Sequence, residues 1–382
     1  MTISNSPHSP VFLTETTAAE DFLGSIGRSL TIAVDTEGAS FHRFVDRIYL
    51  LQISTRQHSA IIDPLSAGRL GTLGRILEDP EVEVVFHDAD YDLRLLYQDY
   101  GWRVNNIFDT RVAAQLLGIH SFGLAALLEQ YFSVKLDKKH QRADWSMRPL
   151  SQEMLDYAAQ DTLYLLELRD RLADQLEVKG RWSWASEEFS RLEGTRWREE
   201  EEGAAYLRIK GARDLSRREL AIFRELAAWR SAIARELDRA TFRVAGSDAL
   251  LEVARNAPRS AGELERVKGM PRALVEKRGS EILDAVGRGL AVPEDELPKF
   301  PRAPRWDRDS NFDARAAALR TARDSVAKSL AMDPGVLCAR DRLEAVARRN
   351  PKKMSELEEV EELRRWQISA LGEAFLGALA RK

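Results

Sequence analysis

Disulfide chemistry is excluded at the outset. The 382 residues contain one cysteine, Cys338, so no intramolecular bridge can form, and a lone thiol suits a reducing compartment. No stretch approaches the ~20 consecutive apolar residues that a membrane-spanning helix needs. The first ten residues lack both a basic start and an apolar run, so no secretory signal is expected and the chain is read as cytoplasmic. A dominant charge sign is missing too. There are 57 Lys and Arg against 61 Asp and Glu, a net charge of −4. That balance excludes a uniformly basic polyanion binder; any nucleic-acid contact must come from local patches. What is present is ample apolar content, 44% of residues, and enough length for two or three domains.

The chemistry-bearing residues are acidic. Leu30 to Val34 is an apolar, β-branched run that reads as a buried strand. It ends in Asp35-Thr36-Glu37. Residues i and i+2 of a strand point to the same side, so both carboxylates leave one face of the sheet and repel each other unless a cation lies between them. A second strand-like run, Val82 to Phe86, gives way to a helical pattern through Asp88, Asp90 and Asp92. Strand-to-helix junctions of this kind commonly carry ligand sites in α/β sheets. A third acidic position lies in a helix opened by Ser151, a good N-cap. Tyr157 and Asp161, four residues apart, share one face of it. That helix is expected to run unbroken to about Val178.

These pieces, in this order and at about this spacing, resemble the DEDD superfamily of 3′→5′ exonucleases, tyrosine branch, and within it the ribonuclease D family. The resemblance rests on Val34 to Glu37, Leu51-Gln52-Ile53, His87 to Leu93, Phe108-Asp109-Thr110, Gln141 to Ser146 and Tyr157 to Asp161, covering roughly residues 30 to 170. It implies a metal site on Asp35, Glu37, Asp92 and Asp161, holding two divalent cations, Mg2+ or Mn2+, with Tyr157 orienting the attacking water. A phenol with its ordinary pKa of about 10 is mostly protonated near neutrality and is not a strong base. The implied reaction releases nucleoside 5′-monophosphates from an RNA with a single-stranded 3′ end, typically precursor tRNA. The implied fold is an α/β, ribonuclease H-like domain with a mixed sheet of about five strands, at roughly 31–36, 46–54, 58–63, 82–87 and 104–108. Asp88 and Asp90 have no role in the implied set.

Beyond about residue 170 strand-like runs vanish. A charged connector, 196–211, includes Glu199 to Glu202, and an internal repeat follows at an offset of 93. Ile233 pairs with Val326, Leu250 with Leu343, Ala254 with Ala347, Pro258 with Pro351 and Leu264 with Leu357. Between the copies lie Pro293, Pro298, Pro301 and Pro304, an extended linker over 293–311. The first copy resembles the helicase-and-RNase-D C-terminal (HRDC) domain in Trp229-Arg230, Ala234-Arg235-Glu236, Phe242-Arg243-Val244 and Gly269-Met270. The second is degenerate. The expected domains are 1–195, an exonuclease; 212–292, a first HRDC-type module; and 312–382, a second.

Substrate contacts are expected from a basic, aromatic stretch, Lys138, Lys139, Gln141, Arg142 and Trp145, and from Arg230, Arg235 and Arg243 of the first module. Each has a plainer reading. Trp145 can be a core residue, and the arginines can line a solvated helix face. His87 reads as a packed, hydrogen-bonded strand end, and Asp109 as a helix N-cap. A DNA exonuclease built on the same acids is an alternative, since no residue can be assigned to read the 2′-hydroxyl. A non-catalytic adaptor is another, although none of the four carboxylates is lost.

Overall fold

The computed structural model describes residues 10–27, 29–136, 139–198, 202–301 and 310–380. They fall into two compact units. One takes the described residues within 1–38, 48–197 and 306–382, the other those within 39–47 and 198–305.

The first unit is built on a six-stranded mixed sheet. Its strands are β1 (Val11–Leu13), β2 (Thr31–Glu37), β3 (Leu50–Ser54), β4 (Ser59–Ile62), β5 (Glu83–Phe86) and β6 (Ile107–Asp109). Their spatial order is β1-β4-β3-β2-β5-β6. β3 runs antiparallel to both β2 and β4, and the other neighbours are parallel. The sequence leads to five of these strands. The sixth, β1, is a three-residue edge strand too short to carry a periodic signal. β3 also starts later than expected, at Leu50.

Helices cover both faces, which is why β2 reads as a continuous apolar run and not as an alternating one. Ile32, Val34, Leu51, Ile53, Val84 and Phe86 pack on one side in a core shared with helices Thr16–Ile26, Gly71–Glu78 and Asp90–Tyr100. Ala33, Val85 and Phe108 pack on the other, against helices Thr110–Leu116, Leu165–Val178 and Trp182–Leu192.

The single long helix expected from Ser151 to about Val178 is two. Gln152–Leu163 and Leu165–Val178 are separated at Tyr164, whose φ of −105° and ψ of −3° leave the helical range. The first helix lies over β2, β3 and β4, while the second packs against β2, β5 and the helix Thr110–Leu116. The bend lets one amphipathic pattern follow two differently oriented surfaces, so tertiary packing overrides the continuous local preference.

The second helical repeat packs into this same unit. Trp184 and Trp366 stack with centroids 4.9 Å apart. The Glu187 carboxylate accepts from the backbone N–H groups of Arg365 (2.8 Å) and Trp366 (3.0 Å) at the start of helix Arg365–Ala380, where the helix dipole favours an anion. Arg181 donates to the carbonyls of Leu116 (2.7 Å) and Leu330 (2.6 Å), joining the two layers.

The other unit holds the first repeat, with helices Arg217–Glu236, Ser247–Asn256 and Arg272–Ala291 around a core that includes Phe223, Leu226, Leu250 and Ile282. Ser216 and Glu219 form a capping box at its start, satisfying two orphan donors. Residues 39–47 complete this unit. The Arg243 Nε donates to the Phe41 carbonyl at 2.5 Å, and Phe41 meets Phe242 edge-on at 6.3 Å.

Candidate active site

The strand pattern delivers the first two acids as expected. Asp35 and Glu37 are half-buried at the C-terminal end of β2, with buried Thr36 between them. The helix Gln152–Leu163, capped by Ser151 through the Met154 N–H, brings Asp161 over them. One carboxylate oxygen from each of Asp35, Glu37 and Asp161 lies within 4.8 Å of the others. Three residues separated by up to 126 positions thus converge on one point.

Asp92 completes the arrangement from a different side. It sits in the first turn of helix Asp90–Tyr100 and is 4% exposed. Its Oδ1 accepts from the Thr36 backbone N–H at 3.0 Å and from the Thr36 hydroxyl at 2.5 Å. It stands outside the tightest trio, and its charge adds to the upward pKa shifts of Glu37 and Asp161.

All four carboxyls are held well above their ordinary range. Burial is the main cause for each. Asp161 adds to the shift of Asp35, and Asp35, Asp161 and Asp92 add to that of Glu37. For Asp92, burial and the Asp35 charge outweigh the two Thr36 hydrogen bonds. Asp161 is pushed up to about 7 by burial and then by Asp92. Among the described residues no basic side chain pairs with any of the four. A site of crowded, uncompensated carboxylates is a poor home for anions and a fitting one for hard divalent cations, which take oxygen ligands.

Tyr157 is half-buried one turn before Asp161 and packs against Trp145 and His140, each with ring centroids 6.0 Å away. A cleft of about 340 Å3 opens beside it, lined by Lys139, His140, Glu153, Asp156, Tyr157 and Gln160.

Other expected residues separate cleanly. Asp88, at a φ of 70°, pairs with Arg111, and Asp90 pairs with Arg94 at 2.8 Å, so both are exposed surface partners. Asp92 is therefore the inward acid of the three. His87 is the packed strand end expected: its Nδ1 lies 2.9 Å from the Thr110 hydroxyl, and burial, then the Arg111 charge, push its pKa down to about 4. Asp109 is the expected N-cap, accepting from Arg111 (2.8 Å) and Val112 (3.0 Å), and it also accepts from Ala89 at 2.8 Å.

Two expected substrate contacts are corrected. Trp145 is 1% exposed and cannot offer a stacking face to a base; its apolar bulk fills the space behind Tyr157. Arg230 is 6% exposed and spends its guanidinium on the Ala245 carbonyl (3.3 Å) and the Ser247 hydroxyl (3.0 Å) inside the first repeat. Lys139, Gln141, Arg142, Arg235 and Arg243 are exposed, with Lys139 bonded to Glu153 at 2.8 Å. Lys138 lies outside the described residues.

Sequence reasoning overlooked Thr36 as a functional side chain. The signal was there: a residue between two acids on a strand must face the opposite side, where a further acid can be held.

The comparisons with known proteins agree with this geometry. A 3′-5′ exonuclease family model matches residues 10–177, and an HRDC domain model matches 219–286 and 312–379. Both ends of the two HRDC matches differ by 93 (312 − 219 and 379 − 286), the repeat offset. The chain is 33% identical to ribonuclease D of Escherichia coli over 269 residues, covering 70% of this chain and 72% of that one. It is 31% identical to ribonuclease D of Gluconacetobacter diazotrophicus over 304 residues, covering 79% and 77%. The crystal structure of E. coli RNase D, described as an exoribonuclease involved in structured RNA processing, superposes with a TM-score of 0.76 at 27% identity over 98% of this chain and 99% of that one. With the acidic cluster, the sheet and both helical repeats in agreement, the chain belongs to the ribonuclease D family of 3′–5′ exoribonucleases.

Proposed function

We propose that the chain removes nucleoside 5′-monophosphates one at a time from the 3′ ends of structured RNA, with 3′-extended precursor tRNA as the substrate class, by a two-metal-ion displacement. Asp35, Glu37, Asp92 and Asp161 would hold the cations, Mg2+ or Mn2+. The observation that carries this reading is the approach of three carboxylates to within 4.8 Å without a basic partner among the described residues. Bound there, two divalent cations would neutralise the cluster, ease deprotonation of an attacking water and offset charge on the departing 3′ oxygen.

The chain's own residues orient these parts. Thr36 fixes one oxygen of Asp92, leaving the other free to turn toward the cluster. Tyr157, braced by Trp145 and His140, would hold the attacking water in line through its hydroxyl. The cleft beside Tyr157 supports entry of a terminal nucleotide from that side, with Lys139, Gln141 and Arg142 near it as candidate phosphate contacts. Arg235 and Arg243 remain candidates on the first repeat. We assign 1–195 to the exonuclease domain, 212–292 and 312–382 to two HRDC-type domains, and 293–311 to the linker between them, a division supported by the family matches.

The test is incubation of the purified chain with 3′-extended tRNA and with a DNA strand of matched sequence, in Mg2+, Mn2+ or chelator. Cation-dependent release of 5′-monophosphates, faster from RNA, is expected. Undiminished hydrolysis in chelator would overturn the mechanism, and preference for DNA would overturn the substrate.

A further inference from the structure

Gln52, at the centre of β3, is fully buried, and neither its Nε2 nor its Oε1 has a hydrogen-bond partner among the described residues. Leaving an amide unpaired in a core costs about 1–3 kcal/mol, and an apolar residue of the same size would avoid that cost. Its neighbours along the strand, Leu51 and Ile53, point into the core on the opposite face. Gln52 therefore shares its face with Ser54, whose hydroxyl lies 2.8 Å from that of Thr162 on the helix carrying Asp161. Directly across the strand pair, the residue in register with Gln52 is Asp35. Side chains opposite each other on an antiparallel pair share a face with Cβ atoms about 4.5–5.5 Å apart.

We propose that Gln52 is a positioning residue for Asp35: with a divalent cation at the cluster, its side-chain amide donates to one oxygen of the Asp35 carboxylate and so selects which oxygen faces the cation. This rests on the reading of Asp35 as a cation ligand. A carboxylate that binds a cation with one oxygen leaves the other needing a donor, and such supporting donors typically set affinity within a factor of 10–100. Gln52 offers that donor from the adjoining strand, and its own unpaired amide gains an acceptor.

The experiment uses the full chain with Gln52→Met and Asp35→Asn in parallel. Mn2+ titrations are followed by thermal stabilisation and, separately, by the cation dependence of RNA hydrolysis. For Gln52→Met, the chelator-treated protein should melt at or above the wild-type temperature. Its Mn2+ midpoint should rise about 10–100-fold, with the rate defect recovering at saturating Mn2+ and KM for RNA unchanged. A residue that only packs would leave the Mn2+ midpoint where it is, and that result overturns the proposal. If Gln52→Met does not fold, wild-type crystals soaked in Mn2+ decide: Nε2 within about 2.7–3.2 Å of an Asp35 oxygen supports it, and a longer separation overturns it. Full Mn2+ binding by Asp35→Asn would instead sink the four-acid reading. Lost binding there beside an unshifted Gln52→Met sinks only the role of Gln52.

Discussion

Thr36 grips Asp92 twice, its backbone N–H at 3.0 Å and its hydroxyl at 2.5 Å both donating to the same oxygen. The two residues are 56 positions apart. Through this pair, the strand that carries two of the acids also fixes a third, which rises from a helix on the other side of the sheet. Thr36→Val keeps the shape and removes the hydroxyl. The change should cost about 1–3 kcal/mol in unfolding free energy by denaturant titration, since it leaves a buried carboxyl short of a donor. Hydrolysis should fall with it, and an unchanged rate would detach Asp92 from the reaction.

Asp35→Asn should reduce nucleotide release by a factor on the order of 10^3 or more, because the substitution removes a cation ligand needed for the displacement. In chelator its melting temperature should equal or exceed that of the wild type, since one of the mutually repelling groups is gone. Substantial turnover by this variant would refute its assignment.

Tyr157→Phe should be slowed about 100-fold but remain active, consistent with loss of an orienting hydroxyl and not of the charged site. The packing against Trp145 and His140 is retained in Phe, so its fold should be intact by circular dichroism. Wild-type rates would reduce Tyr157 to a packing residue.

Asp63 predicts the acid limb of stability. It is 2% exposed and bonded to Arg148 at 2.6 and 2.8 Å. Burial alone would raise its pKa, but the Arg148 contacts and the Leu65 N–H win, and it is lowered. A depressed folded pKa stabilises the fold above the unfolded value of 3.8, and the gain disappears as pH falls through the folded value. Denaturant titrations of wild type and Asp63→Asn should therefore differ most near neutrality and converge as pH falls below 3.8 and through the lowered folded value. An equal gap at both ends would show that the pair contributes nothing by ionisation.

Removing everything after residue 211 takes the second repeat out of the exonuclease unit. Residues 312–380 share a core with the exonuclease sheet and helices, and a truncated chain would expose Trp184 and strand the Glu187 carboxylate. It should melt well below the full chain or aggregate. Gly118→Ala probes the same packing more gently. At a φ of +81°, an added Cβ would come within 1.9 Å of the Ala331 carbonyl oxygen, costing at least about 1–3 kcal/mol.

Much of the catalytic centre was legible because it depends on local rules. Strand alternation puts Asp35 and Glu37 on one side, helical spacing puts Tyr157 and Asp161 together, and capping preferences explain Ser151 and Asp109. The choice of Asp92 over Asp88 and Asp90 was not a local matter. It follows from which helix face turns inward, and only burial separates the three. Trp145 and Arg230 were misread for the same reason: an aromatic or basic residue type is compatible with surface and core alike until its neighbours are known.

The sequence alone pointed to Asp35, Glu37 and the Tyr157–Asp161 pair, the order of the elements that carry them and the repeat offset of 93, since each rests on spacing within a short window or on self-similarity. Tertiary structure alone decided that Asp35, Glu37 and Asp161 meet within 4.8 Å, that Asp92 is the acid held inward by Thr36, that Gln52 stands in register with Asp35, and that the second repeat is built into the exonuclease core. These depend on contacts between distant segments, set by how sheet and helix surfaces fit together, and no local pattern encodes that fit.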